Sequence, residues 1–406
     1  MKTGLGLSAM LVSRGLSAVG GIVFSIAVAR TGAADALGQT AIFLGLIGIG
    51  SIVAKRGMDT LLLKAVAQRD TGKSRRDLIP YLFDVMKRSA LPSGLVACGV
   101  AAILATGIFG EIQGGAGVSA ALIPVAVGLA HVAAYVKGTG RAWIAPIFEI
   151  GGISLLATVI LLLFPVMPIA ALLWGAVCVA AIAAALIRRD LTRSGSEPVP
   201  VGAIDWRQGR IDFTIIALAT FLVSAGSFVL GGLFLDAQTL GLLRAAERLA
   251  LIVSFPVLAI EPFISARIVR ARHDDNIGQL RKTVTLAVVA GAALGIGPAV
   301  VLLVAPQWCL SLMGPGFDGA AGYLRTLAGL HLFVVVFSPF VTVLNLAGTE
   351  RQAMKINIGV LILGVTLFTV LTIAFGAVGF LVAYCMVMLI KLCLSTWRAQ
   401  RVLRHA

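Results

Sequence analysis

The sequence predicts an all-α polytopic membrane protein, with about twelve transmembrane helices in two six-helix lobes related by pseudo-two-fold symmetry along the membrane normal. Three observations carry that reading. The 406 residues are 59% hydrophobic and only 13% charged, with a mean hydropathy of +1.01, and a soluble domain has no way to hide so much apolar surface. Apolar runs of about 17–25 residues recur, enough to cross a hydrocarbon core about 30 Å thick as helices, whereas barrel strands would be about half that length and would alternate. Nearly every Lys and Arg falls on one side of these runs.

The predicted spans are 5–29, 38–54, 89–110, 118–136, 143–164, 168–187, 211–234, 239–264, 283–305, 320–342, 352–374 and 376–396. The second is the shortest, its uninterrupted apolar part running from Thr40 to Ala54. Its helical pattern resumes after Lys55, Arg56 and Asp59 in Leu61, Leu62 and Leu63, so a helix running past the membrane edge is expected there.

With the N-terminus inside, alternate connections hold 28 of the 33 basic residues, nine of them in 55–88 alone. The outside connections 111–117, 165–167, 306–319 and 375 contain no Lys or Arg. Of the other five, Arg30 sits beside an outside turn, and Arg14, Arg244, Arg248 and Arg325 fall within spans. The expectation is a bacterial inner-membrane protein with both termini in the cytoplasm. The net charge of +15 is then largely this bias. The basic stretch 69–88 reads as an inside anchor for anionic lipid headgroups. Nucleic-acid binding is not expected, because the basic residues form no aromatic-laced patch.

The start is not read as a cleaved signal: Ala27-Val28-Ala29 resembles a cleavage site, but Arg14 interrupts the apolar region. Five cysteines, Cys98, Cys178, Cys309, Cys385 and Cys393, form neither a CxxC site nor a disulfide framework, and His131, His273, His331 and His405 do not cluster. No metal or other cofactor is expected. Neither a phosphate-binding GxxxxGK[ST] loop nor HExxH occurs, so the chain is not read as an enzyme.

The longest polar break, Arg188 to Arg210, separates six spans from six. This gives an N-terminal lobe at 1–190, a cytoplasmic linker at 191–210 and a C-terminal lobe at 211–406. Two echoes support an internal duplication. Ala34-Asp35-Ala36-Leu37-Gly38 before the second span matches Ala237-Gln238-Thr239-Leu240-Gly241 before the eighth, at an offset of 203. Gly138-Thr139-Gly140-Arg141 after the fourth matches Gly348-Thr349-Glu350-Arg351 after the tenth, at an offset of 210. Repeats of equal topology are parallel, a build common among transporters, with the transport path between the halves.

Charges inside spans must face a partner or a cavity, since each costs roughly 2.5–3.5 kcal/mol at the bilayer centre on insertion scales. Arg14 shares a helical stripe with Ser17, Gly21 and Ser25, a face suited to close packing or to lining a cavity. Arg244, Glu247 and Arg248 share the eighth span, Arg325 and His331 the tenth, and Glu149 lies in the fifth. Arg244 and Arg325 can instead snorkel to the interface, Glu247 and Arg248 can pair structurally, Glu149 can cap a local network, and Lys55, Arg56 and Asp59 can mark only the inside mouth. Arginine binds phosphate oxygens bidentately, and arginines outnumber carboxylates in the spans, which favours an anionic over a cationic substrate. The substrate-binding candidates are Arg14, Arg30, Arg56, Asp59, Arg244, Glu247, Arg248 and Arg325; those for ion coupling are Glu149 and Glu247.

Several of these residues also carry a family resemblance. Ser13-Arg14-Gly15-Leu16, Ala29-Arg30, Leu37-Gly38 and Gly57-Met58-Asp59-Thr60 resemble the opening of the polysaccharide biosynthesis (Wzx-type) flippases, within the multidrug/oligosaccharidyl-lipid/polysaccharide exporter superfamily. Leu240-Gly241, Arg248-Leu249-Ala250 and Leu312-Met313-Gly314-Pro315-Gly316-Phe317 resemble its second half. Gln39 stands where the family usually has an aromatic. The resemblance implies a two-lobed protein with a central cavity that moves a lipid-linked oligosaccharide, undecaprenyl-pyrophosphate-linked, from the cytoplasmic to the periplasmic leaflet. Its partners would be that substrate, membrane lipids and polysaccharide polymerase and export machinery. The alternatives are a cation-coupled drug or small-solute antiporter of the same superfamily, which would have an acidic cavity, and a membrane-embedded glycan polymerase or transferase, which would normally have a larger outside loop.

Overall fold

The structure, a computed structural model, describes residues 2–69, 75–112, 114–164, 166–192, 206, 210–257, 260–261, 264, 267–268, 271, 276–346 and 350–405. The side chains of 2–14, 16–18, 68–69, 75, 210, 345–346, 350–351 and 404–405 lie outside the description. The fold is all-α. Its helices are α1 (Lys2–Lys55), α2 (Met58–Arg69), α3 (Ile79–Ala105), α4 (Gly115–Gly138), α5 (Ile150–Leu163), α6 (Pro168–Thr192), α7 (Arg210–Val223), α8 (Ser227–Gly231), α9 (Ala237–Ala250), α10 (Ile277–Val304), α11 (Pro306–Ser311), α12 (Ala321–Leu346) and α13 (Glu350–His405).

Among the described residues, seven helices are long and apolar enough to cross a membrane. Two of them are pairs joined through non-helical residues: α1 at Gly32 and Ala33 (φ +56°), and α13 at Gly376 (φ +58°). The shorter apolar helices among the described residues are α5 and α7.

The helices depart from the expected spans at several places. The second pass does not continue through Lys55: Arg56 (φ +49°) and Gly57 (φ +69°) are both left-handed, which ends α1 before α2 begins. The fifth starts only at Ile150, after the 3₁₀ turn Ala145–Phe148. The seventh breaks between Val223 and Ser227, and the eighth tightens after Ala250 into the 3₁₀ turn Leu251–Ser254.

The chain forms two compact units, one of residues 1–27 and 42–221, the other of 28–41 and 222–406. In the first, α3 packs on α4, α5 on α6 and α2 on α4. Pro92 in α3 has no N–H to give the carbonyl of Arg88, four residues earlier. The Arg56 guanidinium donates to that carbonyl instead, at 3.0 Å.

In the second unit, α12 packs on α10 and α13, and Phe368, Phe380 and Phe228 meet as tilted rings, with centroids 5.2 and 5.5 Å apart. Pro339 of α12 likewise frees the carbonyl of Val335, which accepts from the Ser338 hydroxyl at 3.3 Å. Ile264, Ile268, Ala271, Leu280, Val284, Ala287, Val343, Ala399 and Leu403 form an apolar cluster that ties the end of α13 to α10.

The two echoed segments cross within this second unit. A Cβ added at Gly38 would strike the carbonyl oxygen of Ala237, and one added at Gly241 would strike that of Ala34. Each segment thus places its glycine on the backbone of the other's alanine, four residues from that segment's own glycine. Backbones can approach this closely only where both residues are small. Asp236 caps the start of α9: Oδ1 accepts from the Thr239 N–H and Oδ2 from its hydroxyl, both at 2.8 Å. Chiefly through the Thr239 N–H, its carboxyl is held below the usual 3.8.

Gly38→Ala or Gly241→Ala should lower the melting temperature of the purified protein, as overpacking typically costs about 1–3 kcal/mol. Gly99→Ala, where a Cβ meets nothing within 4 Å, should leave it unchanged or raised; equal behaviour of all three would refute the crossing. Asp236→Ala should cost about 1 kcal/mol as a lost helix cap. Because the folded pKa is lowered, the ionised cap stabilises fully above about pH 3.8 and loses that contribution as pH falls through the folded value. Asp236→Asn keeps a cap and should flatten that acid limb in thermal unfolding measured against pH.

Candidate functional site: a buried arginine–glutamate cluster

Helix α9 carries the cluster because its polar residues recur at steps of three and four. Arg244 and Glu247 are both buried, and Arg244 Nη1 donates to Glu247 Oε2 at 3.1 Å. The Arg244 guanidinium also lies over the Phe228 ring, 4.8 Å from its centroid. Arg248 is partly buried, with Nε 3.8 Å from the same Glu247 oxygen, beyond hydrogen-bond range. That Nε is buried and makes no hydrogen bond.

One carboxylate therefore answers two guanidiniums. The void beside it, lined by Phe228, Leu243, Glu247, Leu327, Phe380, Leu381 and Tyr384, measures about 10 Å³, room for about one water molecule. His331 of α12 is buried too: its Nδ1 is 2.8 Å from the Ser254 hydroxyl, and its Nε2 has no hydrogen-bond partner.

The Arg14 side chain lies outside the described residues. Arg30 is exposed at the turn between the two halves of α1, where Nε donates to the Leu312 carbonyl at 2.9 Å and the chain packs on Gly314. Asp59 pairs with Lys55 at 2.8 Å, and Arg56 serves the carbonyl freed by Pro92. Arg325 is half-exposed in the first turns of α12 and donates to the Leu303 carbonyl at 3.1 Å. Glu149 does not sit inside an apolar span: it is the residue before α5, in extended conformation, and pairs with Lys137.

Three features escaped the sequence reading. Glu261, within the expected eighth span, lines a small void with Ser338, Pro339 and Thr342 and adds a carboxylate to the intramembrane balance. Asp190, fully buried, takes both Nη atoms of Arg141 and the hydroxyl of Tyr135. The Gly-Thr-Gly-Arg echo marked Arg141, but nothing in the sequence marked its partner 49 residues on. Trp206, in the expected linker, is buried and donates from Nε1 to Asp84 at 2.7 Å.

No family model matches this sequence, and no curated protein matches it. Solved structures do. An inward-facing multidrug resistance MATE family transporter of the MOP superfamily superposes with a TM-score of 0.67 at 13% identity, covering 96% of each chain. The MATE multidrug transporter DinF-BH, in complex with R6G, gives 0.66 at 14% identity, over 97% of this chain and 94% of that one. The lipid II flippase MurJ, in an inward closed conformation, gives 0.68 at 9% identity, over 96% and 87%. The chain thus has the two-lobed, multi-span fold of MOP superfamily transporters.

Proposed function

We propose that this protein is an inner-membrane flippase that carries a lipid-linked oligosaccharide, undecaprenyl-pyrophosphate-linked, across the bilayer for surface polysaccharide synthesis by alternating access. The observation that carries this reading is the charge imbalance on α9. Arg244 and Arg248 share one carboxylate, and the buried Arg248 Nε–H has no acceptor. A pyrophosphate offers oxygens in the fork geometry a guanidinium fits. The likeness to a lipid II flippase agrees with a lipid-linked substrate. The likeness to multidrug transporters supports a second reading, a drug antiporter of the same fold, for which Glu247 and Glu261 would be the carboxylates to examine.

The roles of the two arginines separate by experiment. Arg248→Ala should leave membrane abundance near normal while export of surface glycan per inserted molecule falls about tenfold or more, since a charge-assisted hydrogen bond is worth roughly 1.5–3 kcal/mol. Arg248→Lys should fall less. Arg244→Ala leaves Glu247 only its 3.8 Å contact with Arg248 and should cut abundance itself, as breaking a buried pair costs roughly 3–5 kcal/mol. Full glycan export by Arg248→Ala would remove Arg248 from the substrate site, and efflux of a cationic dye in place of glycan export would favour the drug-antiporter reading. A reporter active only in the periplasm, fused after Ala406, should stay silent; activity there would reverse the orientation drawn from the basic residues.

A further inference from the structure

The last pass of α13 presents a continuous apolar stripe. Val378, Val382, Met386, Leu389, Cys393 and Trp397 are all exposed and recur at steps of three and four. The opposite face, from Phe380 through Tyr384, Val387 and Leu392 to Ala399 and Leu403, is buried.

The stripe ends in a charged cap. Arg401 and Arg398 lie against Trp397, with guanidinium carbons 3.9 and 4.7 Å from its ring centroid. Neither makes an ion pair among the described residues, and the sequence has no Asp or Glu after Glu350. The helix end is held in place: Arg281 of α10 donates to the Leu403 carbonyl from Nε at 2.9 Å and Nη2 at 2.7 Å.

Depth follows from helix geometry. Trp397 is 21 residues beyond the Gly376 turn, about 32 Å along the axis at about 1.5 Å per residue. A hydrocarbon core is about 30 Å thick. With Gly376 at one face, Trp397 reaches headgroup level at the other, and Arg398 and Arg401 lie at the phosphates. The bias of basic residues assigns that side to the cytoplasm. We propose that Trp397, Arg398 and Arg401 form a binding site for an anionic phospholipid of that leaflet, its phosphate on the two guanidiniums and an acyl chain along the stripe. The Trp ring pre-orients both cations, which have no carboxylate partner among the described residues, and the stripe supplies the acyl contact. The site is independent of the α9 cluster and of what that cluster transports.

The test is native mass spectrometry of the full-length protein in detergent, with phosphatidylglycerol or phosphatidylcholine added at equal concentration. Wild type should retain phosphatidylglycerol preferentially. Arg398→Gln with Arg401→Gln should weaken that retention about 25-fold, at about fivefold per basic residue, with phosphatidylcholine unaffected. The paired Lys substitutions should keep most of it, which separates charge from folding. Glycerophosphoglycerol, the headgroup without chains, should not displace the lipid. Equal retention of the two lipids by wild type, unchanged preference in the Gln variant, or displacement by the free headgroup would each overturn the proposal.

Discussion

In an apolar medium, a polar group that the protein leaves unpartnered has no water to turn to, and this structure is organised around that constraint. It acts on the backbone first. Pro92 and Pro339 each deprive a helix carbonyl of its donor, and each carbonyl is answered, one by the Arg56 guanidinium from another segment and one by the Ser338 hydroxyl next door. Arg56 looks in sequence like a charge at a membrane mouth; in the fold it completes the bonding of α3. The end of α13 follows the same rule, with Arg281 bound to the carbonyl of Leu403.

Several side-chain charges among the described residues obey the rule. Asp190 is fully buried, and Arg141 and Tyr135 satisfy it. Lys55 and Asp59 pair one to one, as do Lys137 and Glu149. On α9 the arithmetic fails, because Glu247 faces two guanidiniums and a buried Nε–H is left over. Local departures from an otherwise observed rule tend to mark function.

Much of this fold was legible because bilayers impose long, simple periods. Span number and order follow from apolar runs and punctuation by Gly, Pro and charge. The places where helices stop early were not legible, since they depend on individual dihedrals: Arg56 takes a left-handed conformation that its side chain does not advertise. The site was half legible. Arg244, Glu247 and Arg248 stood out as charges in an apolar run, whereas the 3.8 Å offset that leaves Arg248 without a hydrogen bond is a matter of tertiary packing. Glu149 shows the opposite failure: an apolar neighbourhood in sequence placed it within a span, yet it stands at a helix entrance with Lys137 as partner.

The crossing of Ala34–Gly38 with Ala237–Gly241 is self-complementary in the manner of a two-fold dimer interface, where one patch meets its own copy. A half-length ancestor carrying a single Ala-xxx-Gly turn would already possess both sides of the contact. Fusion of two such copies removes the need for identity, so each glycine can now drift only as far as the alanine facing it allows. The two turns are therefore bound to evolve as a pair, and a bulkier residue gained in one copy would have to be met by backbone withdrawal in the other.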